Sequence, residues 1–148
     1  MSNAHAAANP SVGASANEKE AVHEVLRGYY EAFGRDATAA AAFFAEPTLI
    51  VTPTELIEIR TRPELASYLD KFAAGLKANG FSHSTFSDLR ITLLNPATAL
   101  CALIAIRMKT DGTELQRAGF TYLLHKSSAG WKIYEFIPTE PGKLIAGD

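Results

Sequence analysis

Glu135 is the residue whose type and position first suggest chemistry in this sequence. It follows Trp131 and Ile133 and precedes Ile137 at a spacing of two, which predicts a carboxylate on an otherwise apolar strand face. Burial raises the pKa of such a carboxyl, whereas an adjacent arginine lowers it. Two interpretations follow: a structural ion pair, most simply with Arg107, or a general acid, general base or hydrogen-bond acceptor for a ligand.

Two hairpins place further polar groups on the same strand face as Glu135. A two-residue type I′ turn at Asp111-Gly112 places Arg107 opposite Gln116. A four-residue loop before the last strand then places Tyr122 opposite Glu135. A single β-bulge would exchange the two faces along part of a strand. The face predicted in this way carries Cys101, Leu103, Ala105, Arg107, Gln116, Ala118, Phe120, Tyr122, Leu124, Trp131, Ile133, Glu135 and Ile137.

Tyrosines and one arginine are the candidate ligand-binding groups. Tyr29 lies in the middle of the first helix and is either a core aromatic or a phenol that donates to a ligand carbonyl. The same alternatives hold for Tyr122. Arg107 is either a cation for a carboxylate ligand or the ion-pair partner of Glu135. His83 approaches Arg107 in only one of two registers of the intervening turn, and a lone strand histidine is more often structural or exposed.

Charge and motifs exclude several classes of protein. Lys and Arg total 14 against 16 Asp and Glu, so the net charge of −2 argues against a nucleic-acid binder. The single cysteine, Cys101, forms neither an intrachain disulfide nor a zinc cluster. His23-Glu24 begins like the zinc-protease helix motif, but Arg27 occupies the position of the second histidine. Since dinucleotide, phosphate and nucleophile-elbow motifs are also absent from the sequence, we expect no metal and no organic cofactor.

Capping residues and periodicity predict the elements that must position these groups. Asn17 and Glu20 form a capping box that starts the first helix, and Gly34 ends it. A second, short helix follows Asp36, and a third begins at Thr61. Two short strands separate the second helix from the third, and four strands in an antiparallel meander complete the chain. The predicted order is α-α-β-β-α-β-β-β-β, an α+β domain with its helices on one face of a curled antiparallel sheet.

The chain is expected to form one domain over residues 18–140. Residues 1–17 are expected to be a disordered leader, and residues 141–148 a loose C-terminal tail. The first residues lack the positive region and the continuous apolar stretch of a secretory signal. No apolar run approaches the roughly 20 residues that a membrane-spanning helix needs. We therefore expect a cytoplasmic protein that binds no membrane.

Five stretches carry a resemblance to a known family. They are residues 25–33 with Asp36, then 43–46, 50–53, 119–124 and 130–135. On these stretches, and over residues 18–140 as a whole, the sequence resembles the nuclear transport factor 2-like (NTF2-like) superfamily, in its SnoaL-like and ketosteroid-isomerase-like bacterial branch. The resemblance implies a cystatin-like roll, in which a cone-shaped sheet wraps around a long helix and leaves a pocket at its open end. It also implies a homodimer.

The residues that catalyse ketosteroid isomerisation are not found at the matching positions. In that branch an Asp base directly precedes the Pro that ends the first strand, whereas here Thr52 precedes Pro53. A threonine cannot abstract an α-proton at neutral pH. The isomerase tyrosine aligns nearest Gly28, beside Tyr29, and the second, protonated Asp falls near Tyr122. Ketosteroid isomerisation is therefore excluded.

The expected function is binding of a small apolar or carbonyl-bearing organic molecule, with cofactor-free isomerisation, dehydration or cyclisation as the accompanying chemistry. In that mechanism Glu135 transfers the proton, Tyr29 and Tyr122 donate hydrogen bonds, and Arg107 stabilises an anion or enolate. The alternative is a non-catalytic association or ligand-sensing module whose pocket is vestigial or filled by side chains. The other residues predicted to line the pocket are Thr52, Phe33, Gln116, Phe120, Trp131 and His83.

The second face of the predicted sheet is also apolar, which predicts a partner. A strand in a sheet with one solvent-exposed face alternates apolar and polar residues, but residues 100–108 show no such alternation. Two-fold pairing of identical sheets is the commonest way to cover such a face. The residues expected to form this homodimer contact are Ile104, Ile106, Met108, Leu123, Tyr134 and Phe136.

Overall fold

The protein, seen in a computed structural model that describes residues 8–146, has three α-helices and six strands in the predicted order. The helices are α1 (Ala8–Ala32), α2 (Ala37–Ala41) and α3 (Arg62–Lys77). The strands are β1 (Phe44–Val51), β2 (Leu56–Ile59), β3 (Phe81–Asn95), β4 (Thr98–Lys109), β5 (Glu114–Ser127) and β6 (Gly130–Thr139), and a 3₁₀ turn follows at Pro141–Lys143. The α+β class and the order of elements are confirmed.

Helix α1 begins earlier than the capping box at Asn17 predicted. It starts at Ala8, so residues 8–17 of the expected disordered leader are helical, and residues 1–7 lie outside the described part of the chain. The early segment is rich in alanine, the best helix former, and Pro10 falls in the first turn, where its missing N–H breaks no intrahelical bond. The predicted caps of the other two helices are confirmed: Asp36 accepts from the Ala39 N–H at 3.0 Å, and Thr61 accepts from the Glu64 N–H at 3.3 Å.

All six strands form one sheet in the order β2-β1-β6-β5-β4-β3. The predicted meander from β3 to β6 is antiparallel throughout, and β1 pairs with β2 in the same manner. Strand β1, however, runs parallel to β6, so the sheet expected to be antiparallel also contains a parallel pair. After β2, helix α3 carries the chain to the far edge of the sheet, and the meander returns until β6 lies beside β1.

The helices cover one face of the curved sheet, which we call the inner face; the opposite face is the outer face. Helix α1 buries a continuous stripe, and α3 adds Leu65, Leu69 and Ala73. Tyr29 and Tyr30 are both buried, although they are adjacent on α1. The buried residues of the inner face on β4, β5 and β6 are Ala99, Cys101, Leu103, Ala105, Arg107, Phe120, Tyr122, Leu124, Trp131, Ile133 and Phe136.

The hairpin between β4 and β5 has the predicted register but not the predicted turn. Gly112 N–H donates to Lys109 O at 3.1 Å, and Lys109 N–H donates to Thr113 O at 2.8 Å, which leaves a three-residue loop. Only Asp88 has a positive φ among the described non-glycine residues, whereas a type I′ turn needs two positive φ angles. The pairing of β4 with β5 then shifts by one residue between positions 107 and 108, which restores the predicted register. Arg107 therefore lies opposite Gln116, as predicted.

The last described residues run along β3. Arg90 Nη1 donates to the Leu144 carbonyl at 3.0 Å, and Thr92 Oγ1 donates to the Ala146 carbonyl at 3.4 Å. The segment expected to be a loose tail thus makes hydrogen bonds as far as residue 146, and residues 147–148 lie outside the described chain. None of the helices within residues 8–146 is long and apolar enough to cross a membrane.

Candidate functional site

Arg107 lies near the end of β4, on the inner face, and is enclosed by aromatic rings. It is 3% exposed. Its guanidinium carbon lies 5.5 Å from the centroid of the Phe33 ring on α1, 5.3 Å from that of Phe72 on α3 and 5.5 Å from that of Phe120 on β5. These are cation–π distances. Phe33 and Phe120 are among the residues predicted to line the pocket, and Phe72 is not.

The guanidinium of Arg107 has only one described hydrogen-bond partner. Nη1 donates to Ser84 Oγ at 3.2 Å, while Nε is buried without an acceptor. Within the described chain, the ion pairs join other residues, and no carboxylate lies within 4.0 Å of the Arg107 nitrogens. The predicted ion pair with Glu135 is therefore wrong. A buried positive charge remains without a counter-ion.

Three tyrosines form a cluster beside Arg107. Tyr30 Oη and Tyr122 Oη share a hydrogen bond of 2.7 Å, and the Tyr29 ring packs edge-on against Tyr30 at 5.3 Å between centroids. Burial raises the pKa of all three phenols above the usual value, so they stay neutral at physiological pH. Each phenol can donate a hydrogen bond, but none can serve as a base. Tyr30 was missed from the sequence, although its four-residue spacing from Leu26 placed it on the buried stripe.

Glu135 does not lie on the inner face. The pairing of β5 with β6 shifts by one residue between Leu123 and Leu124, so Glu135 lies opposite Leu123, and Tyr122 lies opposite Phe136. The prediction that Glu135 faces Tyr122 is wrong. The bulge turns an aromatic side chain inward and a carboxylate outward, which avoids the cost of burying an ion.

Thr52 and Trp131 stabilise local structure away from Arg107. Thr52 Oγ1 accepts from the Glu55 N–H at 3.0 Å and so closes the turn between β1 and β2. Trp131 Nε1 donates to Glu18 Oε1 at 3.0 Å, and Lys126 Nζ contacts the other Glu18 oxygen at 2.6 Å. Both hydrogen bonds lower the pKa of the Glu18 carboxyl, which joins α1 to the β5–β6 hairpin.

Gln116 and His83 lie near Arg107 in the sheet but are exposed. Gln116 is opposite Arg107, at the end of β5 that reaches solvent. In strand β3 the residue opposite Arg107 is Ser84, whereas His83 pairs with Met108. A break in the β3–β4 register between positions 81 and 83 sets this alignment. The residue that reaches Arg107 from β3 is thus a serine that the sequence did not single out.

The space inside the sheet is almost filled by side chains. The interior cavity has a volume of about 10 Å³, enough for about one water molecule. No ligand-sized pocket is therefore open around Arg107 within the described residues. The side chains that line this interior cavity include no carboxylate and no imidazole: Tyr29, Tyr30, Phe33, Phe72, Arg107, Phe120, Tyr122 and Phe136.

A larger space lies on the other side of Tyr30, between α1 and β3. This α1–β3 groove has a volume of about 410 Å³, which is within the range of small-molecule sites. Tyr30 borders both the groove and the interior cavity, and Ser84 connects the groove to Arg107. The residues that line the groove are Arg27, Tyr30, Glu31, Arg35, His83, Ser84, Thr85 and Phe86.

One group of side chains has metal-ligand types at close range. Glu20, His23 and Glu24 of α1 bring ligand atoms within 4.8 Å of one another. Glu24 Oε1 already accepts from Arg27 Nη2 at 2.9 Å and from Arg27 Nε at 3.0 Å. The group is largely exposed and its carboxylates are ordinary surface charges, so it does not by itself define a metal site.

Fold and site together define a class of protein: a small α+β roll in which aromatic side chains enclose one buried cation. Residues 17–141 match the family described as NTF2-like protein (DUF6841). The chain therefore belongs to the NTF2-like family, and the resemblance stated from the sequence is confirmed. A comparison with curated proteins finds no match.

Solved structures from other organisms share the fold. An NTF2-like protein with a cystatin-like fold from Novosphingobium aromaticivorans has a TM-score of 0.72 at 16% identity and covers 95% of this chain and 92% of its own. A cystatin-like domain of unknown function from Nostoc punctiforme has a TM-score of 0.65 at 21% identity, and the match covers 84% of this chain and 77% of that domain's chain. A protein from Streptomyces avermitilis, provisionally described as an NTF2-like dehydratase, has a TM-score of 0.62 at 16% identity. The match covers 83% of this chain and 97% of that protein's chain. At these identities the likeness shows the fold alone.

Proposed function

We propose that this protein binds a small organic carboxylate and that the positive charge of Arg107 selects the ligand. The observation that carries the proposal is the buried guanidinium without a described counter-ion. Burying an ion costs several kcal/mol, and the aromatic rings with one serine hydroxyl offset only part of that cost. A carboxylate near Arg107 would supply the missing negative charge.

The chemistry around the cation favours an anion with an apolar body. A guanidinium is planar and matches the geometry of a carboxylate, with which it forms strong charge-assisted hydrogen bonds. The rings of Tyr30 and Phe86 border the α1–β3 groove next to Arg107, so an alkyl or aryl group attached to the carboxylate would be buried favourably against them. An inorganic anion would gain the hydrogen bonds to the guanidinium but not the burial of an apolar group.

The site favours ligand binding over proton transfer. A general base with a pKa near neutrality is needed to abstract a proton from a carbonyl compound. The titratable groups around the interior cavity are Arg107 and tyrosines with a raised pKa. Glu135, the predicted proton-transfer group, lies on the outer face. The ligand-sensing alternative of the sequence analysis is thus better supported than the enzyme.

We expect benzoate and phenylacetate to raise the melting temperature of the protein, whereas benzamide and phenylacetamide should not. The amides have the shape of the acids without the charge that pairs with Arg107. Thermal-shift and calorimetric titrations measure the difference, and a ligand at 100 times its Kd stabilises by about 2.7 kcal/mol.

Arg107→Met should abolish this stabilisation by carboxylates, and Arg60→Met is the matched control. The Arg60 side chain is 81% exposed and, among residues 8–146, pairs with Glu58 alone, so its loss should leave binding unchanged. Equal stabilisation by acids and amides, or unchanged binding in Arg107→Met, would contradict the proposal.

A homodimer through the outer face is the second candidate, in the class of association modules. The observation that favours it is the interior cavity of about 10 Å³, which leaves little room for a ligand. Five of the residues expected in the dimer contact are partly exposed: Ile104, Ile106, Met108, Leu123 and Tyr134. Phe136, expected on the same face, is instead buried in the core.

The dimer proposal predicts that Leu123→Glu converts the protein to a monomer. A carboxylate at the centre of a buried apolar contact would have to be desolvated without a partner. Sedimentation velocity at micromolar concentration measures the change in mass. Leu56→Glu is the matched control, because Leu56 is 70% exposed and lies on edge strand β2. A wild-type protein that sediments as a monomer would rule out the contact.

A further inference from the structure

We infer that the carboxylate binds in the α1–β3 groove, where the Ser84 hydroxyl contacts it directly and the buried charge of Arg107 acts through that hydroxyl. The inference rests on the proposed function and adds to it the location of the site, the residues that select the ligand, and the ligand class. That class is a monocarboxylate whose apolar body is about the size of one aromatic ring.

The volumes of the two cavities favour the groove. The interior cavity of about 10 Å³ admits no organic ligand unless several packed side chains move. The groove of about 410 Å³ accepts a one-ring carboxylate without rearrangement of the core. Since Tyr30 and Ser84 form the boundary between the two spaces, a ligand in the groove lies one side chain away from Arg107.

The Ser84 hydroxyl is arranged to donate into the groove. Its oxygen accepts from Arg107 Nη1 at 3.2 Å, so its own hydrogen must be directed elsewhere. Among residues 8–146 no acceptor takes that hydrogen, although Ser84 is only 8% exposed. Hydrogen bonds in a chain polarise one another, and the guanidinium therefore strengthens the serine hydroxyl as a donor to an anion.

The rim of the groove has a net positive charge. Two arginines, Arg27 and Arg35, and one carboxylate, Glu31, line the groove, so its lining carries one net positive charge. Arg27 pairs with Glu31 at 3.4 Å and with Glu24, which does not line the groove, at 2.9 Å. Arg35 borders the groove and, within the described part of the chain, forms no ion pair. Its exposed guanidinium lies where it can attract an anion from solvent and contact the same carboxylate.

The walls of the groove supply the apolar contact. The rings of Tyr30 and Phe86 pack edge-to-face with centroids 5.2 Å apart, and both side chains border the groove. The Tyr30 ring is held in place because its hydroxyl bonds to Tyr122 at 2.7 Å. An aryl carboxylate can thus lie against two fixed rings while its anionic end reaches Ser84.

Benzoate titrated into the full chain tests the inference, with calorimetry as the readout. Ser84→Ala should weaken benzoate binding about tenfold or more, the size of effect expected when a charge-assisted hydrogen bond is lost. Ser84→Thr keeps the hydroxyl and should bind within about threefold of the wild type, the range of context effects for one contact. Ser82→Ala is the matched control, since Ser82 lies on the same strand, is not among the residues that line the groove, and contacts His83 Nδ1 at 3.2 Å. Arg35→Gln should weaken binding severalfold and reduce its dependence on salt.

Amide chemical shifts of the wild-type protein give a second measurement that does not depend on variants folding. Benzoate should perturb residues 83–86 and 30–35 more than residues 68–76 of α3. Unchanged binding in Ser84→Ala, or chemical-shift changes confined to α3, would contradict the inference that benzoate binds in the groove. Loss of binding in Arg107→Met would still support the proposed function in that case. If benzoate does not bind at all, or binds Arg107→Met as well as the wild type, the proposed function fails and the groove site fails with it.

Discussion

Tyr122→Ala is expected to lower the free energy of unfolding by about 3–5 kcal/mol, the cost of truncating a large buried aromatic side chain. Tyr122 is 2% exposed. Its ring contacts those of Phe120 and Phe136 at 6.1 and 6.2 Å between centroids. The substitution also removes the partner of the buried Tyr30 hydroxyl. Urea denaturation measures the loss, and an unchanged m-value would show that the unfolding reaction is the same.

Tyr122→Phe separates the hydroxyl from the ring. It keeps the aromatic contacts and leaves only the Tyr30 hydroxyl unsatisfied, so it should cost about 1–3 kcal/mol. If Tyr122→Ala lowers the free energy of unfolding by no more than Tyr122→Phe does, the interior is not tightly packed around this ring.

Arg107→Met is expected to raise the free energy of unfolding by about 1–4 kcal/mol in the absence of ligand, the range found when buried charges are replaced by apolar residues of similar volume. Met removes a desolvated charge that has one described hydrogen bond and an unpaired Nε. It also keeps a flexible apolar side chain against the rings of Phe33, Phe72 and Phe120. Chemical denaturation with and without benzoate measures both effects.

The ligand should reduce this difference in stability, and it should reverse the order if Arg107→Met gains less than about 2.7 kcal/mol. Benzoate at 100 times its Kd adds about 2.7 kcal/mol to the wild type and nothing to Arg107→Met. Arg107→Ala is the control for volume, because it removes the charge but leaves a cavity and should be destabilising. If Arg107→Met is instead clearly less stable than the wild type, the guanidinium is a structural group and the carboxylate site loses its main support.

The sequence alone determined the local structure of most elements, because the signals involved act over a few residues. Asp36 and Thr61 cap the helices they were predicted to cap. The pairing of Arg107 with Gln116 and of Cys101 with Tyr122 follows from alternation along two strands joined by a short loop. The predicted turn type at Asp111-Gly112 was wrong, but the register is as predicted. The pairing of β4 with β5 shifts by one residue between positions 107 and 108, which compensates for the extra loop residue.

The sequence did not determine which polar groups meet. A period-two pattern predicts one face for residues 131, 133, 135 and 137, but a bulge on β6 places Phe136 inward and Glu135 outward. Whether a bulge forms depends on the side chains that cover the strand. Here the inward position faces the aromatic cluster of α1 and β5, where a ring packs favourably and a carboxylate would be desolvated. Those neighbours are up to about a hundred positions away along the chain.

The tertiary structure alone decided where a ligand can bind. The sequence identified Arg107 as a candidate cation and Tyr29 and Tyr122 as candidate hydrogen-bond donors, because each residue lies on a predicted apolar face of its own element. The contact of Arg107 with Ser84 and the groove beside Tyr30 depend instead on how β3 aligns with β4 and how α1 crosses the sheet. Periodicity within one element carries no information about such alignments, because the packing of whole elements against one another sets them.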